Sequence, residues 1–229
     1  VPGFLDVHTH GAVGVDVNAA EPEDFEKVCR FQAIQGTTGW LGSVLTDTRE
    51  QTLWCIEQFK QWEKLEHQGA ELLGIHLEGP FISMEKKGAQ NPAYIRNPDV
   101  EMFLRLQEAA HGLVRLITIA PETDGAKEFI RRLADQGPCV MIGRCADYIL
   151  AGRPDVVRVF VHADKDFCLE QAMKVDSLPE NEVEKKIAEI DDYRARYYKH
   201  HTGHDWYDAR NYDLSLNSGV LGFDGTVEE

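Results

Sequence analysis

The stretch Phe4-Leu5-Asp6-Val7-His8-Thr9-His10-Gly11 decides the fold class of this chain. Its apolar residues predict a β-strand, and because residues two apart in a strand share one face, His8 and His10 point to the same side. Two imidazoles on one face suit a metal ion, although strands also carry polar pairs toward solvent. Gly11 and Gly14 follow the strand, as at the carboxyl ends of strands where parallel α/β folds place their chemistry.

A second predicted strand, Leu72-Leu73-Gly74-Ile75-His76-Leu77, runs directly into Glu78-Gly79-Pro80. A carboxylate at a strand end is a hard oxygen ligand that can complete a metal site begun by two histidines. The alternative for Glu78 is a solvated loop acid or a helix cap, but the Gly-Pro pair favours a rigid turn. For His76, a histidine hydrogen-bonded inside the core is favoured over a site residue.

Apolar runs alternate with helical patterns along the chain, which predicts an α/β fold with a mostly parallel sheet. The predicted strands cover about residues 2–8, 38–46, 72–78, 113–120, 138–143, 156–162 and 212–217. Two capping boxes are predicted: Thr48-x-x-Gln51 opens a helix that stops by Gly69, and Ser177-x-x-Glu180 opens a charged helix to about His201. We expect strand 138–143 to pair beside the fourth strand in one continuous open sheet; the alternative is two poorly packed units.

Residues 1–137 resemble the first half of N-acetylglucosamine-6-phosphate deacetylases, which are amidohydrolase-type (β/α)8 barrels. The matching motifs are His8-Thr9-His10-Gly11, Gly74-Ile75-His76-Leu77-Glu78-Gly79-Pro80-Phe81 and Lys87-Gly88-Ala89-Gln90-Asn91-Pro92. The resemblance implies a partial barrel of this type and a divalent metal ion, zinc or similar, held by His8, His10 and Glu78. It also implies metal-dependent deacetylation of N-acetylglucosamine-6-phosphate to glucosamine-6-phosphate and acetate.

The same resemblance assigns contact with the sugar phosphate to Ala89, Gln90 and Asn91, which would otherwise be an ordinary polar loop. Two further metal histidines, a substrate histidine and the general-base aspartate belong to later strands of such a barrel. Where the family's next strand ends in Ile-Gly-His, this chain has Ile142-Gly143-Arg144, and a guanidinium has no lone pair for a metal. No catalytic residue is therefore assigned, and His162 with Asp164 is a disfavoured replacement.

Residues 138–229 resemble the carboxyl-terminal part of cytidylate-kinase-like P-loop proteins. The matching segments are Pro138 to Leu150, Arg153 to Val161, Asp191 to Lys199, Thr202 to Trp206, Asn211 to Ser218 and Leu221 to Gly225. The resemblance implies an incomplete P-loop kinase-like α/β segment and nucleotide binding by Arg144, Asp147 and Arg194. The chain has no glycine-rich phosphate loop, however, and the arginines of this helix also fit a solvated charged face.

Composition favours a cytoplasmic protein with reduced thiols. The 229 residues include five cysteines without a Cys-x-x-Cys pair, and the net charge is −15. That charge argues against nucleic acids and anionic membranes as partners, and no apolar run reaches the ~18 residues of a membrane span. A small amino-sugar phosphate is the expected partner, and a homo-oligomer is possible.

Three functional hypotheses follow from these patterns. The first is a metal-dependent deacetylase with an incomplete site, the second a cytidine-nucleotide-binding module, and the third a catalytically inactive fusion or fragment. Val1, in place of an initiator methionine, favours a fragment. Stoichiometric divalent metal distinguishes the first hypothesis, and binding of a cytidine nucleotide distinguishes the second.

Overall fold

A computed structural model describes residues 3–143, 145–174 and 177–228. The chain divides into two compact units, residues 1–136 and residues 137–229. All strand pairings among the described residues are parallel, so the prediction of a mostly parallel α/β protein is confirmed.

The first unit is a four-stranded sheet with the strand order β1-β2-β3-β4 and a helix after each strand. Its elements are β1 Phe4–Thr9, α1 Phe25–Ile34, β2 Thr37–Leu45, α2 Arg49–Trp62, β3 Glu71–Glu78, α3 Val100–Ala109, β4 Val114–Ile117 and α4 Ala126–Ala134. Short 3₁₀ helices cover Pro22–Asp24 and Pro92–Tyr94. Since the strands are parallel and adjacent, their carboxyl ends lie along one edge of the sheet.

The core of the first unit lies between this sheet and its helices. Trp40 of β2 is fully buried against Phe25 of α1, and Phe59 of α2 packs on the same ring of Phe25. Helix α2 begins where predicted, because the Thr48 hydroxyl accepts a hydrogen bond from the Gln51 backbone N–H. It ends at Trp62, earlier than the predicted stop by Gly69.

The second unit contains a two-stranded sheet in which β5 pairs with β6. Its elements are α5 Ala146–Ile149, β5 Val159–His162, α6 Lys165–Met173, α7 Glu180–Thr202, β6 Leu214–Asn217 and α8 Ser218–Glu228, with a 3₁₀ helix at Ala209–Asn211. Helix α7 ends at Thr202 and is capped by Gly203, whose φ of 78° lies in the left-handed region that closes helices.

Three sequence predictions are wrong in this region. Residues 138–143 form no strand, and the described strands make two separate sheets rather than one. Val140 and Ile142 are 85% and 92% exposed, so the apolar run has no sheet face to bury against. The second capping box is also absent, because α7 begins directly after the extended Pro179 and Ser177 makes no cap.

Candidate metal centre

Three potential metal ligands converge at the carboxyl edge of the first sheet. His8 and His10 come from β1 and the loop after it, while Glu78 is the last residue of β3, two strands away. The Oε2 atom of Glu78 lies 3.1 Å from His8 Nε2 and 2.8 Å from His10 Nε2. One ligand atom from each side chain falls within 4.8 Å of the others, which is close enough for all three to reach a single ion.

The His10 ring is oriented by the neighbouring strand. Its Nδ1 atom lies 3.0 Å from the backbone carbonyl oxygen of Ser43, on β2. A carbonyl oxygen only accepts, so Nδ1 carries the proton in this hydrogen bond and Nε2 is directed toward Glu78. Histidine ligands of protein metals are commonly held this way, with one ring nitrogen bonded to the protein and the other to the ion.

His76 lies behind the ligand cluster and takes part in the core. It is 1% exposed, its Nδ1 lies 2.9 Å from the Ser43 hydroxyl and its Nε2 lies 2.9 Å from the Thr118 hydroxyl. Both ring nitrogens therefore have partners, and burial, with a smaller contribution from His8, lowers the pKa of His76 to about 4. The prediction of a hydrogen-bonded core histidine is confirmed, and this neutral ring forms the wall on which His8 packs edge-on.

Glu78 is fixed by a contact between β2 and the turn that follows β3. The Thr46 hydroxyl donates a hydrogen bond to the Glu78 carbonyl oxygen at 3.2 Å. Gly79 has a φ of 114°, and a Cβ at this position would collide with the Thr46 hydroxyl. Only glycine fits this close approach, so Gly79 is a structural requirement of the turn that follows Glu78.

The predicted substrate loop is tied to the same strand end. Gln90 accepts a hydrogen bond from the Thr46 backbone N–H at 3.1 Å, and Lys87 donates to the carbonyl oxygens of Gly88 and Gln90. Asn91 accepts from the Ala93 N–H at 3.0 Å and so caps the 3₁₀ helix that follows.

The side chains of Gln90 and Asn91 thus shape the loop, while Ala89 is exposed. Contact of these residues with a sugar phosphate stays a prediction. Sequence reasoning missed Ser43 and Thr46, although both fall at the carboxyl end of the predicted strand 38–46, where site residues are expected.

The residues predicted to bind a nucleotide have other partners where the structure describes them. Asp147 accepts a hydrogen bond from the Tyr198 hydroxyl at 2.6 Å, and Arg194 pairs with Asp191 at 3.2 Å on the same helix. Arg144 lies outside the described residues. The contacts of Arg194 fit a solvated helix face, and its role in nucleotide binding stays a prediction.

His162 and Asp164, the disfavoured replacements for the family's missing metal ligands, lie in the second unit. His162 stacks on Phe160, and Asp164 caps helix α6 by accepting from the Phe167 N–H. Neither belongs to the three-residue cluster, which is the one group of potential ligands found within residues 3–143, 145–174 and 177–228.

Comparison with known proteins agrees with the architecture of the first unit. The chain is 37% identical to N-acetylglucosamine-6-phosphate deacetylase from Bacillus subtilis over 146 residues, 62% of this chain and 37% of that protein. It is 31% identical to N-acetylgalactosamine-6-phosphate deacetylase from Escherichia coli O157:H7, over 63% of this chain and 38% of that one. These matches lie in the amino-terminal part. This part is deacetylase-like.

Solved structures of N-acetylglucosamine-6-phosphate deacetylases show the same likeness. The enzyme from Mycobacterium smegmatis is 31% identical, with a TM-score of 0.57 over 71% of this chain and 43% of that chain. The enzyme from Pasteurella multocida is 28% identical, with a TM-score of 0.52 over 59% of this chain and 35% of that chain. The chain therefore spans about 37% of the length of the first curated relative, and the deacetylase-like sheet is a part of that larger fold.

A second family matches the later part of the chain and overlaps the end of the first unit. The model of the cytidylate kinase-like family matches residues 118–220, from just after β4 to the start of α8. The chain thus combines a deacetylase-like part with a kinase-like part, as the sequence motifs predicted. No helix among the described residues has the length and apolar character required to cross a bilayer.

Proposed function

We propose that the first unit carries the metal-binding portion of an N-acetylglucosamine-6-phosphate deacetylase site, with one divalent ion held by His8, His10 and Glu78. The observation that carries this proposal is the convergence of three ligand atoms within 4.8 Å at the carboxyl edge of the sheet. Two imidazoles and a carboxylate form a donor set that suits zinc and similar ions. When bound, such an ion polarises a carbonyl and lowers the pKa of water.

The protein's own residues prepare this site in three ways. The Ser43 carbonyl holds the proton of His10 on Nδ1, so Nε2 is available to a ligand. The buried, neutral His76 supports the ring of His8 without adding positive charge. The Thr46 hydroxyl fixes the backbone of Glu78, which keeps its carboxylate at the strand end.

The substrate class comes from the relatives. One solved structure is a variant of the Mycobacterium smegmatis enzyme in complex with N-acetyl-D-glucosamine-6-phosphate. By extension, we propose that this chain binds a small amino-sugar phosphate beside the loop of Ala89, Gln90 and Asn91. We also propose that the protein is located in the cytoplasm. Because the chain spans 37% of the first curated relative, and no residue is assigned as general base, we propose that the isolated chain binds metal without completing turnover.

Titration of the metal-stripped chain with Co²⁺, followed by its visible absorption, tests the proposal. We expect one equivalent of tetrahedral cobalt, and loss of that signal in Glu78→Gln. Glu71→Gln is the matched control, because Glu71 is an exposed residue at the opposite end of the same strand. Equal cobalt binding by both variants would contradict the assignment of Glu78.

Acetate release from N-acetylglucosamine-6-phosphate tests the second part of the proposal. A metal-loaded chain that releases no acetate is the expected result. Release that depends on Glu78 would show that three ligands suffice for turnover, and would overturn the claim of an incomplete site.

The kinase-like match supports a second candidate function, binding of a cytidine nucleotide by the second unit. Titration with cytidine monophosphate, compared between the wild-type chain and Arg194→Gln, tests it. Saturable binding that is lost in the variant would support nucleotide recognition. Absence of binding would leave this helix as a charged surface.

A further inference from the structure

A cavity of about 360 Å³ opens between helices α2 and α3, within the first unit. Its apolar part is formed by Leu53, Met102 and Leu106. None of His8, His10 and Glu78 lines it, so it is distinct from the candidate metal centre. Cavities of about this volume are in the range that holds small organic ligands.

Three arginines line this cavity, and they come from three different segments. Arg49 is the first residue of α2, Arg96 precedes α3 and Arg105 lies within α3. In the parts of the chain that the structure describes, none of the three guanidinium groups has an acidic or hydrogen-bonding partner. Such a cluster is unexpected in a chain with a net charge of −15, where acidic partners are abundant.

The two acidic residues on the cavity wall are already engaged. Asp99 accepts a hydrogen bond from the Met102 N–H at 3.0 Å and so caps α3. Glu101 pairs with Arg132 at 2.7 Å. The guanidinium groups of the three arginines repel each other, and an anion bound between them would offset that repulsion.

We propose that this cavity binds a small molecule that carries two or more oxyanion groups, such as phosphates, on a compact apolar body. Guanidinium groups suit this ligand because they stay charged and donate paired hydrogen bonds to phosphate or carboxylate oxygens. The apolar residues of the cavity contact the body of the ligand. This site goes beyond the proposed deacetylase function and does not depend on it.

Isothermal titration of the metal-stripped chain with pyrophosphate, in a phosphate-free buffer of low ionic strength, tests the proposal. We expect saturable binding of one pyrophosphate, at least about tenfold tighter than that of inorganic phosphate, because two oxyanion groups engage the cluster. Arg49→Gln, Arg96→Gln and Arg105→Gln each weaken binding about tenfold, and NaCl at ~0.3 M weakens it further. All three arginines are exposed, so the variants keep the fold, which thermal melting verifies.

Two control variants separate this site from other effects. Arg30→Gln removes an exposed arginine that pairs with Glu26 on α1, outside the cavity, and should leave pyrophosphate binding unchanged. Glu78→Gln should also leave it unchanged, which distinguishes this site from failure or success of the metal centre.

Three outcomes would overturn the inference. They are the absence of saturable heat up to ~10 mM pyrophosphate, an equal loss of affinity in Arg30→Gln, and binding that disappears in Glu78→Gln. A glutamate-rich peptide that binds through the same arginines when pyrophosphate does not would instead identify the surface as a protein contact.

Discussion

The two units differ in how much apolar surface they bury. In the first, Phe25 and Trp40 are fully buried and Phe59 is 2% exposed. In the second, Val159 and Val161 of the short strand β5 are 47% and 54% exposed. A four-stranded sheet covered by helices forms a core of its own, whereas a two-stranded sheet is marginal and depends on other contacts.

Polar contacts supplement the smaller buried core of the second unit, which includes Val183 and Tyr198. Arg158 and Asp213, which directly precede β5 and β6, form a two-pronged ion pair at 2.7 and 2.9 Å. Tyr198 is 2% exposed and donates its hydroxyl proton to Asp147. We therefore expect the first unit to be the more stable of the two, and hydrogen exchange resolved by peptide can follow each unit separately.

Substitution in the core of the first unit should cause the greatest loss of stability. Trp40→Ala should lower the free energy of unfolding of this unit by about 3–5 kcal/mol, because it removes a fully buried ring. Val161→Ala on β5 is the counterpart and should change the second unit little. Denaturation in urea, read by peptide-resolved hydrogen exchange, measures both. Equal losses of unfolding free energy in the two variants would contradict the conclusion that the first unit has the more extensively buried core.

A glycine-to-alanine exchange compares a tight turn with an open one. Gly79→Ala in the first unit should cost about 2–4 kcal/mol, because the new Cβ collides with Thr46 and φ is 114°. Gly203→Ala in the second unit should cost only about 1 kcal/mol, since nothing lies within 4 Å of its Cβ position. Thermal melts of the two variants measure both losses of stability. A larger loss in Gly203→Ala than in Gly79→Ala would contradict this prediction.

The Tyr198–Asp147 contact can be tested by substitution and by pH. Tyr198→Phe should destabilise the second unit by about 1 kcal/mol. Burial, with the bond to Asp147, raises the pKa of Tyr198 above its ordinary value of 10.0, so the folded state favours the protonated phenol. The resulting stability is present below pH 10 and is lost as the pH rises above it.

Hydrogen exchange between pH 8 and pH 11 measures this loss in wild type and Tyr198→Phe. A variant that loses stability with pH as steeply as the wild type would show that other groups, such as Tyr212, control the alkaline transition.

The smallest predicted changes in stability come from substitutions in the two predicted capping boxes. Thr48→Ala should cost about 1 kcal/mol, because its hydroxyl accepts from the Gln51 N–H at the start of α2. Ser177→Ala should cost less than about 0.5 kcal/mol, because Ser177 is not the cap of α7. Equivalent losses in a chemical denaturation series would mean that Ser177 also caps a helix in solution.

Much of the first unit was predictable from local pattern. The apolar runs around His8 and His76 placed two strands of one sheet, and parallel pairing then required their carboxyl ends to meet, which brought Glu78 near the histidines. The hydrogen bonds of Ser43 and Thr46 were not predictable, because they depend on the register between β2 and its neighbours and on side chains that carry no motif of their own.

The error at residues 138–143 has a different cause. Val140 and Ile142 have high strand propensity, but propensity forms a strand only where a neighbouring strand and a face to bury against exist. The described residues offer neither at this point, and both side chains stay exposed. Periodicity in a sequence cannot report whether that partner is present.

An anomalous scattering map, collected at the zinc edge from crystals of the chain grown with Zn²⁺, tests the proposed metal centre directly. We predict a single strong peak within about 2.0–2.2 Å of His8, His10 and Glu78 ligand atoms, and no peak at this position in crystals of Glu78→Gln. Fully loaded crystals with zinc bound elsewhere, and none between these three side chains, would contradict the proposed metal centre.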